Sequence, residues 1–470
     1  MKPLQITIIG GGFCGIMTAI NLVRNTDMPL HIHIINKGNQ LAKGVAFNPH
    51  SSNLLLNVPA GKMSAFGDIP DDFTRWLKTK SEFKNQPEAQ LAADFAPREQ
   101  YGYYLTHLWQ QAVNNKSHKI GIWVYDDEAY DIIEDGRLFY VYLKNNPILT
   151  THFVVLATGN VQPRMPSGIS SSFTANKNYF GNPWKGNCVG GLNETGDVLI
   201  IGNGLTMADT VLGLAERGFA GKIYTVSPHG YNLNPWHQEK QPYTGFNADE
   251  MLKACTTVSE MLGYVNKHRR AAKRLDESVY PIIDLLRPRV QTIWQSISIE
   301  EKRQFVKHLR QFWDAARHRL PVKMHQFIAT LYAEGSLVTY KGTISSVVEE
   351  NGQLKVDVNT GGALKQLFVQ RVINCTGPEN NPMRSTDLMK NMHANGVIAP
   401  DPLHIGINAL PDGRVIARDG KVKSNMLVIG NNLKGVLWES TAVPELREQA
   451  KRASLHLIEK CESFVVAGKT

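Results

Sequence analysis

An apolar-rich run, Leu4–Ile9, passes straight into three glycines, after which Ile16, Met17, Ala19, Ile20, Leu22 and Val23 recur at helical spacing. A second apolar run, Leu30–Ile35, follows. This pattern predicts a β-α-β unit, and a right-handed crossover sets its two strands side by side in a parallel sheet. The same order returns later: a strand at 197–201, the turn Gly202-Asn203-Gly204, a helix through 208–217 and a strand at 222–226. The unit is used twice, which predicts an α/β fold with two parallel sheets.

The rest of the pattern is arranged around these units. Pro59, Pro70, Pro87 and Pro97 punctuate a loop-rich stretch, 100–113 has helical periodicity, and short strands are expected at 122–125, Leu138–Leu143 and 153–157. Residues 160–196, rich in Gly, Pro, Ser and Asn, read as a linker. Nearly all of 248–334 is helical, with breaks at Pro281, Pro288 and Pro321. Strands are expected again at 337–348, 354–358, 371–375 and 426–429, and a terminal helix from about Val443.

Composition narrows the class. A chain of 470 residues, 42% hydrophobic and 20% charged, is long enough for two or three domains with cores of their own. No stretch reaches the eighteen apolar residues of a membrane span, and the N-terminal run lacks the cleavage site of a secretory signal. Five cysteines, Cys14, Cys188, Cys255, Cys375 and Cys461, are odd in number, far apart and without metal-ligand spacing, so reduced thiols in a cytoplasmic protein are expected. The net charge of +9 is partly concentrated in 246–335, with fifteen Lys/Arg against ten Asp/Glu. A solvated basic face is the ordinary reading of such an excess. It also suits anionic ligands, but no nucleic-acid-binding motif accompanies it.

Gly10-x-Gly12-x-x-Gly15, with Phe13 and Cys14 between its last two glycines, follows a strand and opens a helix. The first glycine makes the turn, the second admits a pyrophosphate, and the third lets helix and strand pack closely, while the helix N-terminus holds the phosphates. The end of the second strand departs from the pattern, with Asn36-Lys37 where an acid usually meets a ribose. Gly202-x-Gly204, then Leu205, Thr206 and Met207, makes a second phosphate loop with a bulky residue at the third glycine position and Asp209 just beyond. Its second strand ends in Ser227-Pro228-His229, with no acid to repel a 2′-phosphate and with Ser227 and His229 able to donate to one. Two such sites imply FAD and a nicotinamide nucleotide, NADPH before NADH, with hydride passing between them. No redox-active cysteine pair is present, which sets aside thioredoxin-reductase-like chemistry, and Cys14 and Cys375 read first as buried packing residues.

Further segments carry a resemblance: Gly44-Val45-Ala46-Phe47, Asn53 to Pro59, Met63-Ser64, Asp68-Ile69-Pro70, Pro97-Arg98, Leu156-Ala157-Thr158-Gly159, Phe312-Trp313-Asp314, Arg317 to Pro321, Asn374-Cys375-Thr376-Gly377-Pro378 and Leu437 to Arg447. Through these the chain resembles a family of FAD/NAD(P)-binding proteins similar to flavin-containing and N-hydroxylating monooxygenases. The resemblance implies that Asn57, ahead of Met63 to Pro70, lies at the flavin and helps hold an oxygenated intermediate; a loop Asn capping a turn is the competing reading. It implies that Ala157-Thr158-Gly159 is a hinge between cofactor domains and that Cys375-Thr376-Gly377 also borders a cofactor. Gly430-Asn431 stands where related flavoproteins often carry a Gly-Asp pair against the ribityl chain. Trp438, Ser440 and Thr441 lead into the terminal helix, with Ser440 or Thr441 as its N-cap and its positive end toward the flavin. The chain departs from the N-hydroxylating pattern at His152 and Asn160, and the motif of ketone-oxidising relatives is not visible. Trp184, and Trp236 with His237, fit a substrate channel or plain packing, and the usual burial of large aromatics favours packing.

The resulting expectation is an FAD-binding domain over 1–165 and 378–470, and an NAD(P)-binding domain over 166–377 with a helical insertion at 246–335. The leading function is an NADPH-consuming monooxygenase acting on nitrogen or sulfur through a C4a-hydroperoxyflavin, with a small-molecule substrate and O2 as partners. A reductase using a quinone or other acceptor, and a non-catalytic FAD/NADPH-binding protein, stay open beside it.

Overall fold

In the computed structural model, which describes residues 2–38, 41–48, 51, 53–185, 187–236, 240–379 and 381–467, Leu4–Ile9 is an inner strand of a six-stranded sheet. The sheet runs in the order Arg414–Ile416, Val422–Val428, Phe153–Leu156, Leu4–Ile9, Leu30–Ile35, Ile120–Tyr125. Every pairing is parallel except that of Arg414–Ile416 with Val422–Val428. Inner parallel strands are covered on both faces, which is why they read as unbroken apolar runs rather than alternating ones. On one face pack the helices Phe13–Asn25, Arg98–Asn115 and Val443–Ala467, through Ile16, Met17, Ile20, Leu105, Ala450 and Leu457. The other face carries the antiparallel strands Ala129–Asp135, Leu138–Leu143 and Leu149–Thr151 and the helix Asp387–Ala394.

The second sheet has the order Leu337–Lys341, Ile223–Ser227, Val198–Ile201, Arg371–Asn374, Tyr179–Phe180, all parallel. Helices Leu205–Ala215 and Val322–Ala333 cover one face, and the antiparallel strands Thr343–Glu350, Gln353–Asn359 and Leu364–Val369 the other. The expected strand 337–348 is therefore two strands broken at Gly342, where a Cβ would lie 2.3 Å from the Asn359 carbonyl oxygen. The 160–196 stretch is not wholly linker, since Tyr179–Phe180 adds an edge strand of two residues, too short for a sequence pattern to register.

The helices from Ala248–Ala254 to Arg310–Arg317 build a separate core around Met251, Met261, Ile282 and Trp294. Ile405 and Trp438, from the C-terminal stretch, are buried in that core. No helix among the described residues is long and apolar enough to cross a membrane.

Candidate functional site

The first glycine loop is built on backbone contact. Gly10, at φ +108°, donates its N–H to the Ile35 carbonyl at 2.8 Å, and a Cβ there would lie 2.2 Å from the Ala157 oxygen. A Cβ on Gly15 would meet the Gly10 oxygen at 1.9 Å, so strand and helix touch there. Gly12 differs. Its nearest neighbour is the Gly44 Cα at 3.6 Å, so the loop is open on that side, and Gly12 brings no side-chain cap to the helix Phe13–Asn25. Free N–H groups at an open helix start are what a pyrophosphate needs.

Asn36 props this loop from below. Its Oδ1 accepts from the Gly11 N–H at 3.0 Å and its amide donates to the Gly38 carbonyl at 2.8 Å. Lys37 turns outward to Glu128, at 2.6 Å. Cys14 faces the C-terminal stretch: a Cβ on Gly430 would lie 3.3 Å from its sulfur, and burial pushes its thiol up to about 12. The Gly430 N–H donates to Gln449 Oε1 at 2.8 Å, and its carbonyl accepts from the Ser440 hydroxyl at 2.6 Å. Thr158 accepts from the Asn432 amide at 2.9 Å. The fold thus brings Gly10, Gly12, Phe13, Cys14, Gly15, Ala157, Thr158, Gly430 and Ser440 together, with Gly159 and Asn431 next to them in the chain.

Other expected residues have different places. Neither Ser440 nor Thr441 is the N-cap of the terminal helix, which begins at Val443 with Leu446 N–H bonding the Ala442 carbonyl; the Ser440 hydroxyl donates to Gly430, and its oxygen accepts from the Gln449 amide at 2.9 Å. Trp438 packs among the insertion helices, 4.8 Å from the Trp294 ring and 5.0 Å from Phe305, drawn there by apolar burial. Met63 is core, and the Ser64 hydroxyl donates to the Ile69 carbonyl at 2.5 Å, bracing its own loop. Asn57 is half-buried; its carbonyl accepts from Trp236 Nε1 at 2.8 Å. Its side-chain amide has no hydrogen-bond partner among the described residues, so it caps no turn there.

The second loop repeats the geometry of the first. A Cβ on Gly202 would lie 2.5 Å from the Cys375 oxygen, while one on Gly204 would meet nothing within 4 Å, and Gly204 opens the helix Leu205–Ala215 without a side-chain cap. Met207 is buried in the core under that helix, and Thr206 lends its carbonyl to the Thr210 hydroxyl. Burial raises the Cys375 thiol, which touches Thr210 at 3.5 Å, and Thr376 donates to Asn374 Oδ1 at 2.8 Å, with Gly377 following. Ser227 Oγ accepts from the Gly230 N–H at 3.0 Å, and exposed His229 stacks on Tyr231 with centroids 5.3 Å apart.

Sequence reasoning missed Lys341 altogether and the partners of three residues that it had named or spanned. Lys341 pairs in register with Ser227 on the neighbouring strand, which brings a cation to a strand end that carries none of its own. Arg98 donates to both oxygens of Asp209, at 2.7 and 3.0 Å, and to the Leu55 carbonyl at 2.9 Å. Trp236 reaches from the second sheet's side to Asn57 and packs on Phe95, whereas Trp184 sits half-buried in a turn. His237, the expected companion of Trp236, lies outside the described residues. Buried Glu439 pairs with Arg317 at 2.7 Å and accepts from Trp313 Nε1 at 2.9 Å. The Arg98 and Glu439 links join residues more than a hundred apart in sequence; the only hint was a charged residue inside an apolar pattern.

Residues 7–161 match the family model described as FAD-NAD(P)-binding. No curated protein matches the chain. Among solved structures, the ornithine N-hydroxylase of Kutzneria sp. 744 shares the fold at TM-score 0.66 and 14% identity, over 97% of this chain and 100% of that one. The ornithine hydroxylase of Pseudomonas aeruginosa does so at 0.67 and 13%, over 97% and 99%. A bacillithiol disulfide reductase of Staphylococcus aureus follows at 0.56 and 13%, over 98% and 99%. The fold is thus shared with ornithine hydroxylases and with a disulfide reductase.

Proposed function

We propose that the chain is an FAD-dependent, NADPH-consuming oxidoreductase and, within that class, a monooxygenase acting on a nitrogen or sulfur centre. The observation that carries this reading is the pair of open glycine cradles, at Gly12 and Gly204, each at an uncapped helix start. The donor set fits both cofactors: backbone N–H groups for two pyrophosphates, and Ser227, His229 and Lys341 for a 2′-phosphate. Bound FAD supplies electron storage and oxygen activation; the chain supplies position. The loop from Gly10 to Gly15 would hold the pyrophosphate on its open side at Gly12, while Gly430 and Asn431 border the same loop. Asn57, with an unengaged amide, offers a neutral donor and acceptor where Trp236 closes on the first unit.

The same fold serves disulfide reductases, whose chemistry runs through a thiolate. Burial pushes the Cys14 thiol up, away from the thiolate that such chemistry needs, which favours the oxygenase reading. The test is a panel of primary amines and thioethers added to NADPH-fed protein, with oxygen uptake and hydrogen peroxide followed together. For a substrate of the expected class, oxygen uptake exceeds peroxide release. Peroxide that accounts for all the oxygen with every compound overturns the oxygenase reading, and absence of flavin reduction by NADPH overturns the oxidoreductase.

A further inference from the structure

The insertion helices line an apolar pocket of about 130 Å³ that opens on one side past the exposed Phe312. Met261, Val265, Ile293, Trp294, Phe305 and Trp438 are among the side chains in its walls, and no charged residue lines it. Protein cores are close-packed, and voids larger than a water molecule are few. Apolar walls hold water poorly and favour an apolar guest; an enclosed apolar cavity of roughly 150 Å³ takes up benzene or xenon.

The wall is finished for such a guest. Trp294 donates its indole N–H to the Gly435 carbonyl at 2.8 Å, and Trp313, also in the wall, donates to Glu439 at 2.9 Å. Two of the three wall indoles are thus spent on the C-terminal stretch rather than on the cavity. Trp438 has φ +59° and ψ −68°, a backbone region that a bulky side chain enters only when its surroundings hold it there. Two residues on, Ser440 bonds the Gly430 carbonyl, so the stretch that supplies Trp438 is anchored beside the first glycine loop.

We propose that this cavity is a binding site for a small apolar molecule or group, an aromatic ring or branched alkyl chain of about six to nine heavy atoms. A charged amino-acid head would lie there unpaired, so the guest differs in class from ornithine, the compound named for two enzymes of the same fold. The site stands whether or not the chain oxygenates anything, because occupancy needs neither NADPH nor oxygen.

The probe is fluorobenzene, added to purified FAD-loaded protein and followed by its fluorine NMR line width, with benzene as competitor. Saturable broadening that benzene reverses is expected. Ala316→Phe, which fills the void from its wall, is expected to weaken binding by at least about tenfold while FAD content and helicity stay as in the wild type. Ile293→Phe fills the same void from another helix and serves if Ala316→Phe does not fold. Non-saturable wild-type broadening, or unchanged binding in a folded filled variant, overturns the site.

Discussion

Arg98 grips Asp209 with two parallel hydrogen bonds, and both side chains are nearly buried, at 11% and 7% exposed. The same guanidinium holds the Leu55 carbonyl, two residues before Asn57, so one cation ties the Asn57 loop to the helix that opens at Gly204. Breaking one side of such a pair leaves a buried charge without a partner, which costs about 3–5 kcal/mol, whereas replacing both sides with apolar residues costs far less. Asp209→Leu should therefore lower the urea midpoint sharply, and Arg98→Met with Asp209→Leu should recover most of the loss. Equal stability of the single and double variants would mean that the charges are solvated rather than coupled.

The two kinds of glycine in the first loop predict different failures. At Gly12 a side chain has only the Gly44 Cα near it, at 3.6 Å, so Gly12→Val should fold with a native circular dichroism spectrum yet come off the column colourless. At Gly15 the added Cβ would sit 1.9 Å from the Gly10 oxygen, so Gly15→Ala should lose stability before cofactor binding can be asked about. A yellow, stoichiometrically loaded Gly12→Val protein would move the pyrophosphate elsewhere.

In the proposed site, nucleotide choice would rest on Ser227 and its in-register neighbour Lys341. Lys341→Glu should raise the KM for NADPH by about tenfold and leave that for NADH nearly unchanged, since only the former carries the 2′-phosphate. Ser227→Glu should act in the same direction. If both nucleotides weaken together, the strand end contacts a part that they share.

The glycine loops were legible because one backbone requirement dictates three residues at fixed spacing and the neighbouring strand and helix announce themselves by period. Lys341 was not, because 114 residues separate it from Ser227 and only sheet order makes them neighbours. Trp438 misled for a related reason. Its position beside Ser440 pointed to the loop cluster, while its ring found apolar partners among helices formed some 140 residues earlier. Ser440 looked like a cap by residue type, but the helix starts at Val443, beyond its reach as a cap, and its oxygen accepts from the Gln449 amide instead.

Two histidines predict an acid limb in stability. His318 is enclosed beside Arg317, and burial, reinforced by that charge, lowers it from the ordinary 6.5 to about 4; His33 is lowered to about 4 by burial and then by neighbouring His31. In the unfolded chain both take up a proton near 6.5, whereas in the folded protein they resist it until about 4, so the unfolded state binds more protons throughout that window. Stability should be unaffected by these groups above 6.5, fall as the pH drops from 6.5 toward 4, and level off in their contribution below it. Carboxylates such as Asp127, whose pKa is lowered despite burial by hydrogen bonds from the Asn146 amide, the Glu128 N–H and then Asn145, add their own loss at lower pH. The comparison therefore has to be between wild type and variants. His318→Gln and His33→Gln should each flatten the fall in urea midpoint between pH 6.5 and 4 without altering the slope below it, and a variant that tracks the wild type across that window would show that its histidine titrates normally in the folded protein.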